Sequence, residues 1–374
     1  MRKNAIRLGF LSLIVIACYM AAAADNLHIK IDSDTVKVAV GEDSDEMPLS
    51  DLADNDTLRI WNYDSLTFYG VDGPQVLRKI NPIMPVVIES PIRTVRAYIW
   101  FYSISEVFRE RVGLLRKFEN FGATQPGKSL RFAYSPSNDS NLVKLKEKYH
   151  LDKIAGDGSE ISRMINLMKW VHGQIRHDGS SPNPDPRDAL HILEVCADSG
   201  RGVNCRMLAT VLNEVYLATG FKSRHLTCMP EDKNDNDCHV INMVWSDSLN
   251  KWIYMDPSFQ GYFTDPAGVM LSPLEVREAF INGDSLVVNS DLDFNGRPYP
   301  QADYKRYMVK NLFRFVAPLV SEFGYESKPQ TDTWVYLNPL GYDSDMVNHA
   351  DTLSGKTRSH IDYSTDNGAW FWEQ

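Results

Sequence analysis

Cys205 follows the run Gly200-Arg201-Gly202-Val203-Asn204 and opens a stretch in which Leu208, Val211, Leu212 and Val215 recur at helical spacing up to Gly220. Cysteine attacks a carbonyl carbon as the thiolate. A helix N-terminus favours that anion, because its first backbone N–H groups are unpaired and the helix dipole points the right way. Asn204 is the expected N-cap, the two glycines leave room for a substrate, and the same N–H groups suit an oxyanion. A working thiolate also needs an imidazole to take and return a proton, held in one tautomer by a third group. His239 begins one strand-like run, 239–245, and Asp256 ends another, 251–256, with the polar stretch 246–250 as the turn between them. If the turn centres on Ser248-Leu249, Ile241 lies opposite Asp256 and His239 is one diagonal step away, on the same face as Ile241. A slip of one residue would send the two groups to opposite faces. Cys205, His239 and Asp256 are therefore the candidate nucleophile, acid–base and orienting residue.

Each residue also has a plainer reading. Cysteine in a helix is commonly a small core residue, a histidine at a strand end can be structural, and Asp-Pro ends many strands. His225, Cys228, Cys238 and His239 are enough ligands for a tetrahedral zinc site. Their spacing argues against one, since the adjacent Cys238 and His239 point to opposite faces of a strand; no metal and no cofactor are expected. Cys228 with Cys238, across the acidic loop 231–237, is a better disulfide candidate than a metal pair, and the pairing among Cys196, Cys228 and Cys238 stays open. That loop is either a solvated excursion or a rim favouring cationic substrates such as lysine side chains.

The elements that must position these residues form an α+β arrangement. Short β-branched and aromatic runs at 35–40, 57–63, 65–69, 85–88 and 94–101 predict an antiparallel sheet or sandwich over 25–123, with the Asp/Ser-rich segment 41–56 as a loop. A helix is expected over 105–121, and the Pro/Gly/Ser-rich stretch 124–140 reads as a linker. A second domain, 141–270, begins with a short helix at 142–149. Asp157 as N-cap with Glu160 three residues on suggests a capping arrangement, followed by an apolar stripe from Ile161 to Ile175. Another helix covers 187–195. Residues 271–374 form an extension packed on this core: a helix from Ser272, a strand at 333–337, and an aromatic cluster, Trp370, Phe371 and Trp372, that is either packed or an exposed binding tail.

Residues 1–24 read as an export signal, with Arg2, Lys3 and Arg7 before an apolar core and small residues at 21–24. The run Val15-Ile16-Ala17-Cys18 is equally a lipoprotein box, with Cys18 as the lipidated residue. Either way the mature protein is expected outside the cytoplasm, touching a membrane only through such an anchor. Removal of 1–24 leaves 36 of the 39 basic residues against 49 acidic ones, a net charge of −13. That excess repels phosphate backbones and excludes nucleic acid as the expected partner.

Four segments together resemble the transglutaminase-like superfamily: 202–209 around Cys205, Thr219-Gly220-Phe221-Lys222-Ser223-Arg224, Cys238-His239-Val240, and Lys251-Trp252-Ile253-Tyr254-Met255-Asp256-Pro257. The helix containing Trp170-Val171-His172 is similar as well. The resemblance spans about 141–270 and implies a papain-like core of helices packed on an antiparallel sheet, with Cys205, His239 and Asp256 as a catalytic triad. It implies a peptide or protein substrate whose amide bond is hydrolysed or transferred through an acyl-enzyme. Since the superfamily also contains inactive binding proteins, a surface binding module is the alternative. Two features depart from the pattern. Arg206 and Met207 stand where an aromatic or acidic residue is common near the cysteine, and the second oxyanion donor is not fixed, with Gln174 and His177 as candidates.

Overall fold

The computed structural model describes residues 6–8, 27–40, 43–61, 63–81, 83–123, 130–328, 332–342, 350–353 and 356–374. Cys18 and most of the leader lie outside the described residues. The chain forms two compact units, Met1–Glu110 and Arg111–Gln374.

In the first unit the strands are β1 (Ile6–Leu8), β2 (Leu27–Lys30), β3 (Thr35–Val40), β4 (Asp43–Pro48), β5 (Asp56–Trp61), β6 (Ser65–Gly70), β7 (Gly73–Arg78), β8 (Ile83–Glu89) and β9 (Thr94–Tyr102). They make a five-stranded sheet in the order β1-β5-β9-β8-β2 and a four-stranded sheet in the order β4-β3-β6-β7. Period-two patterning decides their inner faces: Val36, Val38 and Val40 of β3 and Met84, Val86 and Ile88 of β8 are buried in one shared core, with Phe68, Ile99 and Phe101. Two departures from expectation follow from edges and connections. The larger sheet is mixed, since β5 pairs with β9 and β2 with β8 in parallel. The segment expected as a loop contains β4, an edge strand in which Ser44, Asp45 and Glu46 face water and Met47 is buried, so its composition imitates a loop.

Helix α1 (Ile104–Lys117) leads into the second unit. There follow β10 (Ala133–Tyr134), α2 (Ser140–Tyr149), α3 (Leu151–Ala155), α4 (Glu160–Gln174), α5 (Ala189–Ser199), α6 (Cys205–Ala218), β11 (Ser223–Met229), β12 (His239–Ser246), β13 (Lys251–Met255), β14 (Phe263–Thr264), α7 (Pro273–Asn282), β15 (Val287–Val288), α8 (Gln301–Asn311), β16 (Arg314–Pro318), β17 (Val320–Ser321), β18 (Asp332–Leu337), β19 (Ala350–Leu353), β20 (Lys356–Thr365) and α9 (Gly368–Phe371). The main sheet runs β13-β12-β11-β16-β18-β20-β19 and is antiparallel except between β18 and β20. Within the stretch read as a linker, β10 pairs with β17.

Helix α6 is the axis of this unit. Every residue from Met207 to Ala218 is buried, polar ones included, as expected of a helix wrapped on all sides. Most of its buried polar groups are matched: Glu214 accepts from the N–H of Ala189 (2.7 Å) and of Gly324 (2.9 Å), and Asn213 donates to Ser321 Oγ (2.8 Å), although Asn213 Oδ1 has no partner among the described residues. Helices α2, α4 and α5 close over it through Leu142, Leu145, Met164, Met168 and Ile192.

Helix α4 is capped by Ser159, not Asp157, with Ser159 Oγ accepting from Ser162 N at 3.2 Å. Glu160 reaches instead across the fold to the β12–β13 turn. It accepts from Ser246 Oγ (2.6 Å), Asp247 N (2.9 Å), Ser248 N (3.1 Å) and Ser248 Oγ (2.5 Å). The C-terminal aromatic cluster is packed. Phe371 is fully buried, and Arg224 donates to the carbonyls of Phe371 (3.1 Å) and Glu373 (2.6 Å) while lying over Phe132 and Trp252.

Candidate active site

Asn204 caps α6 as expected, its Oδ1 accepting from Met207 N at 3.1 Å. The N–H groups of Cys205 and Arg206 are left without an acceptor among the described residues, which gives Cys205, half-buried at the first helical position, an anion-favouring environment. The glycines serve the chain rather than a substrate. Gly200 ends α5 in the left-handed region, at φ 64°. Gly202 lies so close to the preceding segment that a Cβ there would sit 2.6 Å from the Arg176 carbonyl oxygen and 2.8 Å from Asp178 Cβ. That close approach lets Val203 N donate to Arg176 O (3.0 Å) and Asp178 N to Val203 O (2.7 Å). The bridge brings His177 alongside the α6 N-terminus, where its ring helps lower the Cys205 thiol. Gln174, the other candidate oxyanion donor, is exposed at the end of α4.

The hairpin has the anticipated register. Asn242 pairs with Met255 and Ser246 with Lys251, which puts Ile241 across from Asp256 and His239 one diagonal step away. His239 and Asp256 are both buried, and His239 Nε2 donates to Asp256 Oδ2 at 2.7 Å. Asp256 takes Nε2, so the influence of the same ring on Cys205 falls to its other nitrogen, Nδ1. Asp256 is held from its other sides: Oδ1 accepts from Ser258 N (2.8 Å) and Phe259 N (3.3 Å), and Oδ2 also accepts from Tyr304 OH (2.7 Å). Tyr254 in turn donates to the Tyr304 hydroxyl at 2.7 Å.

Electrostatics follow from these contacts. Burial alone would push the Cys205 thiol up. Hydrogen bonds from His177 and His239, the charge on His239 and the Val240 N–H outweigh it and bring the thiol down to about 6. Burial would likewise lower His239, but the charge and hydrogen bond of Asp256, followed by those of Cys205, raise it to about 10. Between these values the pair exists as thiolate and imidazolium, in a site walled by aromatic edges. Phe259 and Tyr307 meet the His239 ring edge-on at 5.5 and 5.4 Å.

Several residues of this site lie in places the sequence left unread. Tyr304 and Tyr307 come from α8, beyond the segment that carries the motifs. The only local clue to Phe259 is its position three residues after Asp256. The four cysteines of the described residues, 196, 205, 228 and 238, are all free thiols, so neither the candidate Cys228–Cys238 disulfide nor another pairing among them is formed. Cys228 lies inside the sheet directly opposite His239, whereas Cys238 precedes β12. Part of the acidic rim is engaged: Lys310 binds Asp235 (2.8 Å) and Asp237 (3.0 Å), and Tyr307 OH donates to Asp237 at 3.2 Å. Among the described residues no group of three or more His, Cys, Asp or Glu side chains is placed to hold a metal ion.

Residues 148–257 match the family model described as the transglutaminase-like superfamily. Among solved structures the chain is similar to a candidate cysteine protease from Cytophaga hutchinsonii, at 14% identity, covering 46% of this chain and 64% of that one with a TM-score of 0.25. It is similar also to red sea bream transglutaminase, at 11% identity, covering 77% of this chain and 55% of that one with a TM-score of 0.26. The chain thus spans less than two thirds of either structure's length. No curated protein matches it.

Proposed function

Because residues 148–257 belong to the transglutaminase-like superfamily, we propose that this protein is a thiol enzyme acting on peptide or protein amide bonds through an acyl-enzyme on Cys205. The observation that carries the reading is the buried His239–Asp256 hydrogen bond beside a cysteine at a helix N-terminus, with the thiol lowered to about 6 and the imidazole raised to about 10. The Cys205 thiolate attacks the amide carbonyl carbon, and the carbonyl π electrons move onto oxygen. That oxyanion meets the free N–H groups at the start of α6 and the His177 ring. The His239 Nδ1–H protonates the departing amine as the C–N bond breaks, leaving a thioester. Water then attacks the thioester with His239 taking its proton, and the thiolate is restored; an amine in place of water gives transfer instead. Asp256 keeps the Nε2–H of the ring in place throughout, and Tyr304 and two backbone N–H groups keep Asp256 in place.

Cys205→Ala should abolish labelling by a thiol-directed acylating probe while leaving thermal unfolding unchanged. Equal labelling of the variant would sink the proposal. We propose in addition that the enzyme works outside the cytoplasm after loss of residues 1–24, either soluble or anchored through Cys18, as the basic, apolar and small-residue order of that segment supports. Mass spectrometry of the N-terminus from fractionated cells tests this. An intact leader on cytoplasmic protein would overturn it.

A further inference from the structure

His177, half-buried in the segment between α4 and α5, is held from two sides. The parallel bridge to Val203 uses Arg176 O and Asp178 N, so the N–H and C=O of His177 itself point the other way. There they meet one side chain from 118 residues downstream. His177 N donates to Asn295 Oδ1 at 2.7 Å, and Asn295 Nδ2 donates to His177 O at 3.0 Å. A single carboxamide thus stands where a neighbouring strand would.

Asn295 and Gly296 have φ 57° and 77°, and Phe294 and Arg297 exchange hydrogen bonds of 2.8 and 3.3 Å. Positive φ at both central residues of a two-residue hairpin marks a type I′ turn, for which Asn-Gly is a preferred pair. The turn explains the residue type but not the aim of the side chain. Asn295 is exposed, and water could satisfy its carboxamide, yet both polar atoms lie on His177. The hairpin is also anchored at its root. Asp293 Oδ1 accepts from Gly296 N (2.7 Å) and lies 2.8 Å from His172 Nε2; the other nitrogen of that ring lies 2.9 Å from the carbonyl oxygen of Pro257, which follows Asp256. The Phe294 ring packs on His177 (5.2 Å between centroids) and on Phe259 (4.8 Å), which meets the His239 ring. One hairpin therefore touches both histidines beside Cys205, His177 directly and His239 through Phe259.

An oxyanion donor is worth most when it already stands where the charge develops, and a ring on an unheld loop would contribute little. We infer that Asn295 is a positioning residue, which holds His177 where its ring donates to the oxyanion of the substrate on Cys205. The inference rests on the thiol-enzyme reading and deepens it, by assigning the support of the second oxyanion donor to a residue outside the motif-bearing segment.

The test compares two reactions of Cys205 in the full chain. In acylation by p-nitrophenyl acetate the thiolate adds to the carbonyl carbon, an oxyanion forms, and p-nitrophenolate leaves. In alkylation by iodoacetamide the thiolate displaces iodide and no oxyanion forms. The thiolate share is common to both, so the ratio of the two second-order rates reads the oxyanion site. Acylation is followed as p-nitrophenol release with protein in excess, less that of Cys205→Ala. Asn295→Gly keeps the turn and removes the carboxamide. Its ratio should fall at least about tenfold, less than the roughly hundredfold cost of deleting a donor outright. Asn295→Asp, which retains only the bond from His177 N, should fall between it and wild type. His177→Ala should lower the ratio further than Asn295→Gly, and adding Asn295→Gly to it should cost nothing more, because the carboxamide acts through the ring. An unchanged ratio in Asn295→Gly overturns the inference, and so does a double variant whose losses multiply. If His177→Ala leaves the ratio unchanged, the inference falls whether or not the Asn295 variants fold. The thiol-enzyme reading then still stands, provided that iodoacetamide alkylation of wild type shows its inflection near pH 6. Without that inflection both fall.

Discussion

Replacing Asp256 by Asn tests the chemistry at its least forgiving point. In the native site Oδ1 is committed to the N–H groups of Ser258 and Phe259, while Oδ2 accepts from His239 Nε2 and Tyr304. An amide oxygen in the variant would have to stay with the two backbone donors, which turns the amide nitrogen toward His239. Two donors would then face each other, so Nε2 must give up its proton and Nδ1 must carry it. A ring protonated at Nδ1 cannot take the proton of the thiol it faces. The carboxylate charge, the chief influence raising His239 to about 10, is lost as well. The Cys205 thiol should climb from about 6 toward its ordinary value. If it recovers at least about two pH units of that distance, the thiolate share at pH 7.5 falls from nearly all to about a quarter or less. Alkylation by iodoacetamide, followed by mass spectrometry of the peptide containing Cys205, reads this across pH 4–10. Cys196, Cys228 and Cys238 interfere little below pH 8, because burial pushes all three thiols up. The decisive quantity is the inflection and not the rate at one pH, since a thiolate of higher pKa is intrinsically more nucleophilic and masks part of the loss. Wild type should show one inflection near 6 and a second near 10, and Asp256→Asn a first inflection moved well upward. A variant that keeps its inflection near 6 would refute the reasoning and leave His177 and the Val240 N–H as the activating groups.

Three further substitutions have definite expected outcomes. Gly202→Ala forces a methyl against backbone at 2.6 Å and should cost about 1–3 kcal/mol in denaturant unfolding, with the Cys205 inflection raised as His177 is displaced; unchanged stability would contradict the close approach. Glu160→Ala removes four hydrogen bonds from the β12–β13 turn and should lower stability by about 1–2 kcal/mol at pH 7. Although burial opposes it, those hydrogen bonds hold the Glu160 carboxyl below its usual range, so its stabilisation is present above the unfolded pKa and is lost as pH falls through the folded one. The gap in Tm between wild type and Glu160→Ala should therefore close below about pH 4, and a gap independent of pH would argue against an ionised clasp. Arg224→Met leaves the Phe371 and Glu373 carbonyls unpaired and removes the cation from between Phe132 and Trp252, so the C-terminus should become sensitive to carboxypeptidase and Tm should fall; unaltered digestion would show that α9 docks without it.

How far the sequence carries depends on how far apart the interacting residues lie. The α6 N-cap was legible because Asn204 acts on Met207, three residues away. The register of the hairpin was legible because one short polar turn separates two apolar runs, leaving few ways to pair them. The transglutaminase-like α+β core followed from the same local segments. Tyr304 was not legible: its hydroxyl reaches Asp256 from 48 residues downstream, on a helix whose polar surface gives no hint of a buried phenol. Glu160 shows the same limit from the other side. Its sequence neighbours suggest a helix cap, but its partners are 86 to 88 residues away in the turn that sets the pairing of His239 and Asp256. The strand β4 was hidden by composition, because an edge strand with one buried residue carries the polar sequence of a loop.

These long-range contacts change what kind of object the site is. Two independent devices bring its halves together. The Gly202–Arg176 approach fixes Cys205 and His177 at the start of α6, and the Glu160 clasp and Tyr304 fix the imidazole and its carboxylate on the sheet. Both halves act on the thiol: burial raises Cys205, and His177 from one half with His239 and the Val240 N–H from the other bring it down. Because α6 is buried along nearly its whole length, its N-terminus has little freedom to shift and compensate for an error in the sheet. A reactive thiolate here therefore depends on the packing of the whole second unit, and residues far from Cys205 in sequence should tune its acidity as strongly as its immediate neighbours do.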